Sequence, residues 1–167
     1  MRLLIVRHAK AFDRDPNRWP DDARRPLTDE GRAAFRRLAA RLEKSLPIPD
    51  QVLASAWDRA WQTAEILEDE AMWPAAEREP LLEDADETQA FAGLLDRLRP
   101  IRSNGTAALV GHEPFLSRFA SRLMTGRADG AMIALRKGAV LELEMDSEGP
   151  VGAALRSLVH PGVFRKR

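Results

Sequence analysis

Two of the chain's three histidines stand directly behind short apolar runs. Leu3-Leu4-Ile5-Val6 leads into Arg7-His8, and Ala107-Ala108-Leu109-Val110 leads into Gly111-His112. A third run, Val52-Leu53-Ala54, ends at Ser55 and is followed by Asp58-Arg59. Imidazoles and guanidiniums gathered in one place make a site for phosphoryl chemistry. A guanidinium offers a planar fork of donors that fits a phosphate, and it keeps its charge. An imidazole nitrogen can attack phosphorus and hold the phosphoryl group covalently, dividing one difficult step into two. Nearby cations disfavour the imidazolium and keep the ring nucleophilic near neutral pH. They also stabilise charge on the equatorial oxygens of a phosphoryl group in transfer. Taken alone, Arg7-His8 reads equally well as a polar cap where a buried strand reaches the surface; only the set points to chemistry.

For these residues to meet, their strands must be neighbours. Residues 3–6, 51–55 and 107–110 read as short buried strands, apolar on both faces. In an open α/β sheet, ligands bind at the carboxyl ends of such strands. Between them the spacing predicts helices. Thr28 is a helix N-cap followed by acids, and Phe35, Leu38, Ala39 and Leu42 form one apolar face that stops at Leu46-Pro47-Ile48-Pro49. A second helix spans about 58–72 and carries Trp61, Ala64, Ile66 and Leu67, and a third lies within 87–99. Pro114 fits the first turn of a fourth, with Phe115, Leu116 and Phe119 behind it. Helix starts near 58 and 114 would add backbone N–H groups to the same edge. Residues 12–26 read as a polar loop. The alternation over 131–145 around Lys137-Gly138 predicts a hairpin, and a last strand is expected over 151–158. The expected fold is therefore α/β. It is a single domain over 1–167, a three-layer α/β/α sandwich whose mainly parallel central sheet has an antiparallel edge.

Composition narrows the function classes. Lysine plus arginine equals aspartate plus glutamate at 26 each, so the net charge is zero. That argues against nucleic acid or a membrane surface as partner, since both reward a clustered basic excess. The closing Arg165-Lys166-Arg167 reads as a solvated tail. With no cysteine, disulfides, thiolate metal sites and a cysteine nucleophile are excluded. His8 and His112 are far apart in sequence and lie beside arginines, which speaks against a metal site; no cofactor is expected. No signal peptide and no run near the roughly 20 apolar residues of a membrane span is read, so a cytoplasmic protein is expected. His160 reads as a surface histidine, and Lys10 and Arg14 as exposed side chains that could flank a phosphorylated partner. Trp57 and Trp61 are expected to pack, with the pocket mouth as the alternative. Ser55 and Ser117 lack a base and an orienting group, which argues against a serine hydrolase.

The segments "LLIVRHAKA", "RPLTDEG", "ASAWDRAWQTAEIL" and "LVGHEPFLS", in this order, resemble the histidine phosphatase superfamily, and within it the short SixA-type phosphohistidine phosphatases. The likeness runs from residue 3 to about 119. It implies that His8 is the nucleophile that becomes phosphohistidine and that Arg7 and Arg59 bind the phosphate. His112 would be the second histidine, contacting the transferring phosphoryl group. Pro26, Leu27, Thr28 and Gly31 match a supporting segment. Ala9 stands where the superfamily often has glycine. Relatives acting on phosphate esters use an acid from a loop after the second helix to protonate the leaving oxygen. Here the candidate is Glu83, within Glu79–Asp84. A phosphoramidate, protonated on its own ring nitrogen, depends less on such an acid.

Three readings follow. The first is removal of phosphate from phosphohistidine on a protein partner, for which a compact domain with little sequence for lid insertions is suited. The second is a small-molecule phosphomonoesterase that uses Glu83 as proton donor. The third is a non-catalytic module binding phosphate or another oxyanion.

Overall fold

Leu3, Leu4, Ile5 and Val6 are all fully buried, so strand β1 (Arg2–Arg7) has a helix layer on each face and no solvent side. This computed structural model describes residues 1–83, 86–101, 103–145 and 151–164. The 165–167 tail and Asp84 lie outside them. After β1 come α1 (Asp29–Ser45), β2 (Gln51–Ala54), α2 (Asp58–Ala71), β3 (Glu77–Arg78) and α3 (Glu87–Leu98). The chain continues through β4 (Thr106–Gly111), α4 (Phe115–Thr125), β5 (Val140–Glu144) and β6 (Ala154–Val159). The strands form one six-stranded sheet in the order β3-β2-β4-β1-β5-β6. β1, β2, β3 and β4 run parallel, while β5 and β6 add an antiparallel edge.

Alternation along β1 divides the core in two. Leu4 and Val6 join Val52, Val110 and the apolar faces of α1 and α2, including Phe35, Leu38, Leu42, Ile66 and Leu67. Leu3 and Ile5 join Leu53, Leu109, Leu141 and the faces of α3 and α4, including Leu94, Leu116 and Phe119. The result is the three-layer sandwich with a mixed sheet that the strand–helix alternation implies. Local signals fix the α1 start as expected: Thr28 is its N-cap, and its hydroxyl accepts the Gly31 N–H at 3.0 Å. No helix among the described residues is long and apolar enough to cross a membrane.

The expected hairpin over 131–145 does not form. Only its second half is a strand, β5, and that strand pairs with β1 on one side and β6 on the other. In the first half Leu135 is buried and Met132, three residues before it, is fully exposed. The Leu135 carbonyl accepts the Arg7 guanidinium at 2.8 Å, a bond across the fold that replaces a hairpin ladder. Lys137-Gly138 does turn the chain, with Gly138 at φ +74°, a conformation glycine adopts without strain. Two smaller differences accompany it. Pro114 is the N-cap of α4 rather than part of its first turn, and the short β3 extends the sheet beyond β2.

Candidate active site

The sheet register brings the two histidines together. β1 and β4 pair with Arg7 opposite Gly111, so His8 and His112 leave neighbouring strands at the same level. The His8 N–H donates to the Gly111 carbonyl at 3.0 Å, and the imidazole centroids are 5.3 Å apart with planes at 53°. β2 lies on the other side of β4, and the Ser55 N–H donates to the Val110 carbonyl at 3.0 Å. Three consecutive strands of the sheet thus end on one site.

Each ring has one nitrogen fixed by the protein. His8 Nδ1 lies 2.7 Å from the Ala9 carbonyl. A carbonyl only accepts, so Nδ1 carries the proton and the neutral ring presents Nε2 as a lone pair. Burial pushes the His8 pKa down to about 3; the bond to Ala9 opposes this, and Arg59, Arg7 and Arg25 add to it. His112 Nε2 lies 2.9 Å from the hydroxyl of the fully buried Ser55. That hydroxyl oxygen also accepts the Trp57 N–H at 3.2 Å; when its own proton is donated to Nε2, the ring proton of His112 is on Nδ1. Burial, then Arg59 and His8, push His112 down to about 2. Both rings are neutral at pH 7.

Arg59 sits in the first turn of α2 with its guanidinium almost wholly buried. Nη1 donates to the Asp22 carbonyl at 2.8 Å, and Nη2 pairs with the Asp22 carboxylate at 3.1 Å. The guanidinium carbon also stands 4.6 Å from the centre of the Trp57 ring, within cation–π range. Burial and the charge on Arg25 bring its pKa to about 10, so it stays charged at neutral pH. Arg7 spends Nη1 on Leu135, and burial lowers its pKa as well. Among the described residues, Arg7 Nε, Arg59 Nε and His112 Nδ1 are buried without a hydrogen-bond partner. Unpaired buried donors are costly, and here three belong to the residues that surround His8.

Support for this cluster comes from residues whose role the sequence does not display. Asp22 accepts two bonds from Arg25, at 2.9 and 3.3 Å, which lowers its pKa and holds the 12–26 loop over Arg59. The Thr63 hydroxyl donates to the Arg59 carbonyl at 2.7 Å and accepts the Ala9 N–H at 3.0 Å, tying α2 to the residue behind His8. Trp57 is at the site and not only packed: its ring centre is 4.8 Å from that of His112. Trp61 packs against the core under α1 and α2.

The other sequence candidates fall outside this cluster. The Glu83 carboxylate is on the neighbouring rim, where it accepts the Ala56 N–H at 3.4 Å and two bonds from Arg78 at 3.0 and 3.2 Å. His160 lies on the far side of Arg7, in a turn where its Nδ1 accepts the Gly162 N–H at 3.1 Å. Among the described residues no group of three or more His, Asp or Glu is placed to hold a metal ion.

Comparisons with known proteins give the family and the fold. The model of the histidine phosphatase superfamily (branch 1) matches residues 3–91. An uncharacterized protein of Picosynechococcus sp. is 31% identical over 143 residues, covering 86% of this chain and 84% of its own. Among solved structures, the protein histidine phosphatase SixA complexed with tungstate superposes with a TM-score of 0.81 at 23% identity, covering 99% of this chain and 100% of that one. A protein proposed to be the phosphohistidine phosphatase SixA of Agrobacterium tumefaciens gives 0.76 at 20% identity, over 96% and 98%. A mycobacterial glucosyl-3-phosphoglycerate phosphatase in complex with VO3 gives 0.68 at 17% identity, over 93% and 96%. At these identities the solved structures establish the shared fold.

Proposed function

The chain belongs to the histidine phosphatase superfamily (branch 1), and from that premise we propose that it is a metal-independent phosphohistidine phosphatase acting on a phosphorylated protein. The observation that carries the reading is the triangle of unpartnered buried nitrogens on Arg7, Arg59 and His112 around the neutral ring of His8. Those donors match the oxygens of a phosphoryl group, and Nε2 of His8 matches the attacking atom.

In the first step Nε2 of His8 forms a bond to phosphorus as the phosphorus–nitrogen bond of the substrate breaks. The released imidazole leaves with the proton that its ring already carries. Arg7 and Arg59 hold the equatorial oxygens, and Nδ1–H of His112 donates to the same group. Water then attacks the phosphorus of phospho-His8, giving inorganic phosphate and returning His8 to its neutral form. The Ala9 carbonyl holds Nδ1–H throughout, so the ring neither rotates nor changes tautomer.

Glu83 distinguishes phosphoramidate from ester substrates. An ester needs a proton donor at the leaving oxygen, whereas both oxygens of the Glu83 carboxyl group are taken by the two-point contact with Arg78. A substrate that brings its own proton has no need of it. The SixA neighbour complexed with tungstate and the compact chain, with little sequence left over for a lid, support a protruding phosphorylated side chain as the substrate.

The test is phosphoenzyme trapping in EDTA with a protein labelled on phosphohistidine. Acid-labile, base-stable label on His8, absent from His8→Ala, together with release of phosphate, is the expected result. Absence of both label and phosphate release overturns the reading and turns attention to small phosphate esters.

A further inference from the structure

Beside the catalytic cluster, on the other side of Arg7, lies a cavity of about 490 Å3 between the start of α1, the 136–138 turn and the 160–162 turn. Its lining includes Lys10, Arg37, Arg136, Lys137 and His160, with Glu30 as the sole acid. The whole chain is neutral, with 26 acids for 26 bases, so Arg7, Lys10, Arg37, Arg136 and Lys137 against the one carboxylate of Glu30 make a local imbalance. Elsewhere among the described residues Arg2, Arg24, Arg36, Arg97, Arg118 and Arg127 pair with carboxylates, while Arg18 and Arg122 rest on aromatic rings. At the cavity Lys10 pairs with Glu30 at 2.6 Å. Among the described residues no carboxylate pairs with Arg37, Arg136 or Lys137. His160 Nδ1 accepts the Gly162 N–H at 3.1 Å, which sets the ring in the turn beside the cavity.

This basic wall is fastened to the nucleophile. Gly138 N–H lies 3.2 Å from the Arg7 carbonyl and 2.9 Å from that of His8, and Arg7 Nη1 holds the Leu135 carbonyl from the other side. The turn bearing Arg136 and Lys137 is therefore held at a fixed offset from His8.

We propose that this cavity is a second anion subsite, which receives carboxylate side chains flanking the phosphohistidine of the protein substrate. The inference deepens the proposed function and rests on it. Acidic flanks supply countercharges that Arg37, Arg136 and Lys137 do not find among the described residues. Their long, exposed side chains adapt to a peptide more readily than to one small rigid ligand, and the attraction also speeds encounter at low salt.

The experiment compares two synthetic peptides that carry phosphohistidine, one flanked by glutamates and the other by glutamines, with phosphoramidate as a small substrate. The wild-type protein is expected to favour the glutamate peptide about tenfold in kcat/KM at low ionic strength, mostly through KM, the scale of several exposed ion pairs acting together. R136E/K137E should abolish or invert that preference and leave phosphoramidate hydrolysis unchanged. Equal use of both peptides by wild type, or a preference that survives R136E/K137E, overturns the subsite. Hydrolysis of phosphoramidate alone, with neither peptide used, would instead refute the protein substrate. The subsite is then decided by fluorescence anisotropy with an unphosphorylated glutamate-rich peptide. Binding by wild type and not by R136E/K137E supports it, and any other result overturns it.

Discussion

The hydroxyl of Ser55, at the end of β2, lies 2.9 Å from Nε2 of His112, at the end of β4. The Trp57 N–H donates to the same oxygen. With the serine proton donated to Nε2, the His112 ring proton is kept on Nδ1, and under the proposed function Ser55 is a positioning residue for His112. Ser55→Ala should leave the fold intact and lower kcat by about three- to tenfold, the worth of one neutral hydrogen bond. A change in the His112 tautomer, read from its ring 15N shifts, and recovery of both properties in Ser55→Thr separate this role from packing. Unchanged shifts with reduced kcat would contradict it.

Trp57 lies against both His112 and Arg59. Trp57→Ala removes the face on which the Arg59 guanidinium rests. It is expected to raise KM about fivefold, within the range of a cation–π contact, and Trp57→Phe should restore most of the loss. Steady-state kinetics with phosphoramidate provide the measurement. A drop in kcat at constant KM would assign Trp57 to the chemical step instead.

Glu83→Gln separates the two phosphatase classes. With a phosphohistidine substrate kcat should stay within about twofold of wild type, whereas a general acid contributes about 10²–10⁴-fold. Parallel assays on an alkyl phosphate set the scale for an ester. A hundredfold loss on phosphohistidine would show that the leaving group takes its proton from Glu83 after all.

Acid should destabilise the protein earlier than its carboxylates alone would dictate. The folded pKa values of His8 and His112, about 3 and about 2, lie below the ordinary histidine value of 6.5. Between those limits the unfolded chain binds protons that the folded one refuses, so stability is full above about pH 6.5 and is lost as pH falls through the window. Each histidine contributes a slope of at most about 1.4 kcal/mol per pH unit. Calorimetric melting between pH 7 and 4 should show a steeper fall for wild type than for His8→Asn/His112→Asn. Parallel curves would mean that the rings are not held neutral by the fold.

The sequence displays the proposed catalytic cluster more fully than its support. His8 and His112 are visible because each follows an unbroken apolar run, and such runs end at a sheet edge. Arg59 is visible through its place at a helix start. Ser55 shows no partner in the sequence, because its bond to His112 depends on β2 and β4 being neighbours, which no local pattern records. Asp22 and Arg25 sit in a loop without periodicity, and their pairing with Arg59 exists only in three dimensions. Residues 131–139 misled for a different reason. Their alternation is genuine at Ile133 and Leu135, but the backbone there is claimed by Arg7 and His8 instead of by a neighbouring strand. The two residues of β3 are too few for any period to register.

The Thr63 hydroxyl, between the Arg59 carbonyl and the Ala9 N–H, links the proposed phosphate clamp to the residue behind the proposed nucleophile through one oxygen atom. A strand end and a helix start, built from segments 54 residues apart, are pinned together the way a rivet joins two plates. Their relative position is then indifferent to how the loops between them vary. Relatives could lengthen, shorten or recharge those loops to greet new partners while the distance that matters for phosphorus stays the same.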